Sequence, residues 1–262
     1  MFEDLKPHLI ELKKRIMIAV TAIVIGLLAA FAFWEYILMW IVEPLSSAVC
    51  SANIDLGEFD ASKLCGNGAG TLITTSVIEG LFTAFKISFF TGLVAAMPVI
   101  FWQLWLFIAP GLYDHEKKYV IPFVFFATLM FASGFLFCYY IVLPMSLDFA
   151  IHFGKGIFVY LPKTTEYIDF FLKFTIAFSL SFELPVISLF LAKINFITDR
   201  TLKNFARYAV VLIFIFAAII TPPDVISQIL MAIPLLLLYA LSIFIVRLVN
   251  PYKEEDETNT PA

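Results

Sequence analysis

"FSLSFELPVISLF", residues 178–190, holds a single charge, Glu183, among phenylalanine, leucine, isoleucine, valine and small hydroxyl side chains. Extended outward, the apolar run covers about 170–192, close to the roughly 20 residues that a membrane-crossing helix needs. The rest of the chain has the same character. Of 262 residues, 61% are hydrophobic, 15% are charged and 30 are phenylalanine, with a mean hydropathy of +0.94. Soluble domains carry about 25% charged residues, and none of this length has interior enough for so much apolar surface. The composition therefore predicts an all-α polytopic membrane protein. Inside a membrane an ionisable side chain is expensive and usually marks a working position, which makes Glu183 the first candidate.

Six segments have the length and hydropathy to cross: about 16–34, 87–108, 119–143, 170–192, 208–221 and 225–246. Together they predict one six-helix transmembrane domain over 1–247, followed by an acidic, disordered cytoplasmic tail over 248–262. The fifth apolar run has only 14 residues, or about 21 Å at 1.5 Å per residue, against a hydrocarbon core of about 30 Å. It meets the sixth at "TPPD", residues 221–224, a tight turn in which Asp224 is placed to cap the sixth helix. A short fifth and sixth pair predicts local thinning of the bilayer or a recessed turn. The basic residues divide twelve to five in favour of the side that carries the N-terminus, so the chain reads N-in and C-in. That leaves outer loops over about 37–80 and 144–168. Cys50 and Cys65 fall in the first, where a disulfide is compatible with an extracytoplasmic loop. Cys138 sits in an apolar run and reads as a small hydrophobe.

Thr175, Ser179 and Glu183 recur every four residues and share one stripe of a helix. Phe171, Phe174, Phe178 and Phe182 form the stripe beside it. Pro185 lacks a backbone donor and frees the carbonyl of Ser181. The stretch thus offers a carboxyl, hydroxyls and a loose carbonyl at mid-depth, as a contact for a partner or as an internal clamp between helices of the same chain. At the other end, "PHLIELKKR", residues 7–15, places Leu5, Leu9, Leu12 and Ile16 on one apolar stripe, which predicts an interfacial helix running into the first span. Glu11 lies off that stripe, where an ion pair with Arg15 is its bland role. "FIAPGLYDHEKKY", residues 107–119, turns at Pro110-Gly111. Its "HEKKY" begins like a zinc-protease HExxH, but Tyr119 stands where the second histidine belongs. No nucleophile motif and no phosphate-binding glycine loop occurs either. Neither an enzyme nor a metal site nor a cofactor is expected, and no nucleic-acid partner is.

"HLIELKKR", "FIAPGLYDHEKK", "SFELPV" and "TPPDVISQILMAIPLLLLY" occur in this order over about residues 5–247. The set resembles the TatC family, the multi-spanning core of the twin-arginine protein translocase. The resemblance implies a protein of the cytoplasmic (inner) membrane with a concave membrane face. It implies export of folded proteins under the proton-motive force, and recognition of a signal peptide with two adjacent arginines at the cytoplasmic face. By the same resemblance Glu11 and Glu116 form the acidic patch for the arginine pair, Phe107 and Pro110 shape the loop, and Lys13 and Arg15 flank it. Two guanidinium groups suit two carboxylates, because paired charge-assisted hydrogen bonds hold them in a fixed fork. The resemblance further implies that Glu183, with Thr175 and Ser179, meets a polar group of a single-span TatA or TatB subunit or of the passing signal, and that Asp224 and Gln228 belong to the partner-binding helices. The partners so implied are TatB, TatA and signal peptides, in a hetero-oligomer containing several copies of this chain. Lys13 departs from the arginine common at that position, and Ala240 from a glutamate. A small-solute transporter is the competing reading, but it predicts inverted repeats and several charges along one path, and the chain has one deep charge. An intramembrane hydrolase lacks its nucleophile and base.

Overall fold

The computed structural model describes residues 2–51, 72–108, 120–153, 162–221 and 225–251. The helices in chain order are α1 (Phe2–Ala32), α2 (Trp34–Ser51), α3 (Glu79–Ile108), α4 (Val120–Phe137), a π-helical turn (Cys138–Val142), α5 (Leu143–Phe153), α6 (Thr164–Ser181), α7 (Leu184–Lys193), α8 (Asp199–Ile220) and α9 (Val225–Val249). Among the described residues, six stretches are long and apolar enough to cross a membrane: Leu9–Ala32, Glu79–Ile108, Val120–Phe153, Thr164–Lys193, Asp199–Ile220 and Val225–Val249. Contacts gather the chain into two compact units, residues 1–128 with 138–173, and residues 129–137 with 174–262.

In the first unit α1 and α3 run antiparallel, with Gly26 set against Gly92. A Cβ on Gly92 would lie 2.4 Å from the Leu27 backbone nitrogen, and one on Gly26 would lie 2.9 Å from the Gly92 Cα. Only hydrogen side chains permit that approach. Since lipid tails are as apolar as the helices, close packing of this kind is what holds membrane helices together. Lys86 of α3 pairs with Asp169 of α6 at 2.7 Å. Phe171 of α6 sits fully buried among Phe90, Tyr139 and Tyr167, with ring centroids 6.2–6.3 Å away.

The sequence predicts an outer loop over about 37–80; the structure instead runs α2 through the first part of it. The reason is legible in hindsight. Ile41, Val42, Leu45, Ala48 and Val49 recur at helical spacing and are all buried. Glu35, Glu43 and Pro44 dilute the hydropathy of this stretch below that of a spanning segment. Pro44 deprives the Trp40 carbonyl of its helical partner. The Tyr139 hydroxyl donates to that carbonyl at 2.7 Å, and the Tyr167 hydroxyl donates to the next one, Ile41, at 2.6 Å. The outer loop predicted over 144–168 is likewise shortened from both sides, by α5 and by the start of α6.

One carboxylate ties two helix starts. Glu79 accepts the Thr75 and Ser76 backbone amides at 2.6 and 3.3 Å ahead of α3. It also accepts the Thr165 amide at 3.2 Å and the Thr165 hydroxyl at the start of α6. Beside it, Ile73 and Lys163 form an isolated parallel bridge.

In the second unit α8 is longer than its apolar run. Its polar first two turns, opened by a Thr198–Thr201 capping box, bring it to 22 residues, and α9 has 25. The shortness of this pair therefore resides in the apolar stretch Tyr208–Ile220, not in the helices. Three side chains of the last helix and its end stitch it to its neighbour: Gln228 to the Phe214 carbonyl (3.0 Å), Tyr239 to Leu202 (2.8 Å) and Asn250 to Ile197 (3.1 Å). Asn195, with φ of 57°, takes the left-handed position that ends α7.

Candidate functional site

At the end of α1 nearest the chain start, Glu11 and Arg15 lie one turn apart and pair at 2.6 Å, each about a quarter to a third exposed (33% and 22%). Arg15 also donates to Gln103 Oε1 of α3 at 3.4 Å. The antiparallel register that opposes Gly26 to Gly92 opposes Arg15 to Gln103, and carried one more turn it brings Phe107 level with Glu11. Pro110 and Glu116 lie outside the described residues. Lys13 and Lys14 are exposed on the flank of α1. The group therefore contains a carboxylate that is anchored yet accessible. An i, i+4 pair on an exposed helix contributes only a few tenths of a kcal/mol; the bond to Gln103, long at 3.4 Å, ties this pair to α3 as well. Arg15 Nε is buried and unpaired among the described residues, so the guanidinium is held by its outer nitrogens. Gln103 was not singled out in the sequence, because nothing local distinguishes it from any other glutamine near the end of an apolar helix.

The second candidate lies at the break between α6 and α7. The helix stops at Ser181 because Pro185 cannot donate to it, and α7 restarts at Leu184 with Glu183 at its cap. Glu183 is 5% exposed. The Phe131 main chain provides one hydrogen bond to its carboxyl, while Oε1 has no partner among the described residues. Aromatic rings seal the neighbourhood. Phe182 packs on Phe137 with centroids 5.4 Å apart and occupies the space that a Cβ on Gly134 would need, at 2.8 Å. Thr175 and Ser179 are buried on the predicted stripe. The Ser179 hydroxyl is turned onto the Thr175 carbonyl at 2.8 Å, and Ser181 onto Ala177 at 2.6 Å. Both serve their own helix, and neither donates to Glu183. Phe174 and Phe178 are fully buried, so the aromatic stripe packs against protein.

Of the remaining candidates, Gln228 is engaged by the Phe214 carbonyl, as described above. Asp224 and Cys65 lie outside the described residues. Cys50 is disulfide-bonded, and Cys138 is a buried free thiol. No cluster of metal-ligating side chains occurs among the described residues.

Residues 7–234 match the family described as Sec-independent protein translocase protein (TatC). The chain is 47% identical over 259 residues to the Sec-independent protein translocase protein TatC of Helicobacter pylori strain 26695, covering 99% of this chain and 93% of that one. It is 47% identical over 261 residues to that of Campylobacter jejuni, covering 99% and 100%. A crystal structure of the twin-arginine translocase receptor TatC superposes with a TM-score of 0.76 at 39% identity, covering 92% of this chain and 99% of that one. A second, in the detergent DDM, gives 0.77 at 40% identity, covering 91% and 99%. With matching motifs, matching architecture and relatives aligned over nearly their whole length, the chain belongs to the TatC family.

Proposed function

We propose that this chain is the twin-arginine signal-peptide receptor and scaffold of a Tat translocase, a multi-pass protein of the cytoplasmic membrane that exports folded proteins under the proton-motive force. It is a translocase component and not an enzyme, and it works in a complex with other Tat subunits. The observation that carries the reading is the anchored carboxylate of Glu11, held by Arg15 and braced by Gln103 at the cytoplasmic end of α1 and α3.

A carboxylate offers about four acceptor positions. The Arg15 bond uses one, which leaves Glu11 able to accept an incoming guanidinium. The two arginines of the signal then divide between Glu11 and Glu116, with Phe107 and Pro110 shaping the loop beneath them. Lys13 and Arg15 keep this face cationic, so a signal is admitted only if its own cations find both carboxylates. Lysines in place of the signal arginines bring the charge without the planar fork.

Glu183 is the second working residue. A buried carboxyl oxygen without a partner is costly to leave unmet. A polar side chain of a single-span TatA or TatB helix, or of the passing signal, supplies the missing donor. Thr175 and Ser179 line the same stripe. Asp224 and Gln228, at the outer end of the last two spans, belong to the surface that receives those partners, and several copies of this chain assemble with them. A disulfide between Cys50 and Cys65 pins the first outer loop.

The test is a titration of the purified chain with a labelled signal peptide carrying Arg-Arg, and with its Lys-Lys counterpart. Saturable binding of Arg-Arg alone, lost in the Glu11→Gln, Glu116→Gln double variant, is the expected result. Equal binding of both peptides, or unchanged binding by the double variant, sinks the proposed site. Repeating it with TatB present separates a misplaced site from one that needs the partner.

A further inference from the structure

We infer that a cleft on the outer side of the first unit, between α2 and the π-turn with α5, binds the ammonium headgroup of an aminophospholipid. The cleft has a volume of about 690 Å³, which falls in the range of small-molecule sites. Its two sides are helical stripes. Trp40, Pro44 and Ala48 recur every fourth residue on α2, and Tyr140, Pro144 and Asp148 face them.

The wall between the stripes is preformed. Trp40 and Tyr139 stack at 3.9 Å with an interplanar angle of 7°. The Tyr139 hydroxyl is locked onto the carbonyl that Pro44 leaves free, at 2.7 Å. The cleft therefore keeps its shape without an occupant, and binding orders little that is not ordered already.

Among the described residues the charge that lines the cleft is of one sign: Glu43 and Asp148, with no lysine or arginine. Glu43 makes no ion pair among the described residues, and it is exposed. Among the described residues Asp148 pairs with the half-exposed imidazole of His152 alone, at 3.2 Å. Two carboxylates at the mouth of an apolar, aromatic cleft call for a cation with an apolar body. A primary ammonium has three N–H donors to share between them, whereas a trimethylammonium has none. Ser47 and Tyr140 add hydroxyls that make no hydrogen bond among the described residues, suited to the phosphate that follows the amine.

The setting points to lipid and not to a soluble ligand. α2 follows the outer end of the first span, and the surface beside the cleft is apolar and exposed: Tyr36 at 70%, Met145 at 52% and Ile141 at 47%. Tryptophan and tyrosine concentrate where a membrane protein meets headgroups.

The experiment uses the full chain in detergent. Dioctanoyl phosphatidylethanolamine, phosphatidylcholine and phosphatidylglycerol are titrated in parallel by calorimetry, with native mass spectrometry to count bound lipids. Saturable binding of the ethanolamine lipid is expected, about tenfold tighter than the other two, on the scale of one charge-assisted hydrogen bond. The Glu43→Gln, Asp148→Asn double variant should lose that preference while keeping the melting temperature of the parent, because neither carboxylate supports a strong pair in the fold. Equal affinity for the three lipids, preference for the glycerol lipid, or an unchanged preference in the double variant overturns the assignment. A photocrosslinker at Ser47 in native membranes should capture lipid. Capture of a protein segment there, such as a basic stretch of a neighbouring subunit, overturns it as well.

Discussion

At the scale of single residues, the proposed function rests on two carboxylates with opposite situations. Glu11 is braced and accessible. Removing its brace should weaken recognition without removing the carboxylate. Gln103→Ala takes away one of the two acceptors of Arg15, and the bond it breaks is long at 3.4 Å. The expected loss in affinity for an Arg-Arg peptide is about threefold, at the low end for a neutral acceptor, with helix content unchanged by circular dichroism. Glu183, by contrast, is buried with one oxygen unmet among the described residues. If it waits for a partner, Glu183→Leu should leave the isolated chain as stable as the parent or more so, by up to about 1–3 kcal/mol, while export fails. A loss of stability of similar size on thermal unfolding in detergent would instead return Glu183 to the role of an internal clamp.

At the scale of elements, two contacts bear on stability and neither is hydrophobic in origin. The first is the crossing of α1 and α3. Gly92→Ala would place a methyl group 2.4 Å from the Leu27 backbone nitrogen, and a backbone atom cannot step aside as a flexible side chain would. The expected cost is about 1–3 kcal/mol, the range for overpacking, and since the same crossing aligns Arg15 with Gln103, peptide binding should fall with it. The second is the pair of tyrosines that serve α2. Tyr139→Phe strands the Trp40 carbonyl and should cost about 1–2 kcal/mol. In a Pro44→Ala background the helix regains its own donor for that carbonyl, so the same substitution should cost much less. A double-mutant cycle by thermal unfolding reads this coupling directly. Additive losses would mean that the hydroxyl and the proline are unrelated.

At the scale of the whole molecule, the chain is a component and not a machine. Reconstituted alone in liposomes with an imposed proton-motive force, it should move no twin-arginine cargo, and adding the other Tat subunits should restore export. Solute movement by the isolated chain would revive the transporter reading.

Hydropathy was sufficient to locate the spans because a membrane selects on average side-chain polarity over about 20 residues, a property of neighbours in the chain. Orientation followed for a similar reason, since lysine and arginine counts near span ends need no tertiary information. Glu183 announced itself as the single charge of residues 178–190, and the ordered motifs led to the family. α2 escaped because Glu35, Glu43 and Pro44 lower its mean hydropathy, although its buried positions keep helical spacing. What the tertiary structure alone decided are the pairings between residues distant in sequence. Arg15 finds Gln103 across 88 positions, Lys86 finds Asp169 across 83, and Glu79 reaches Thr165 across 86. The Trp40–Tyr139 wall of the outer cleft is of the same kind. Each depends on which helix faces meet and at what height. Packing sets that geometry through contacts such as Gly26 on Gly92, and no local periodicity encodes it.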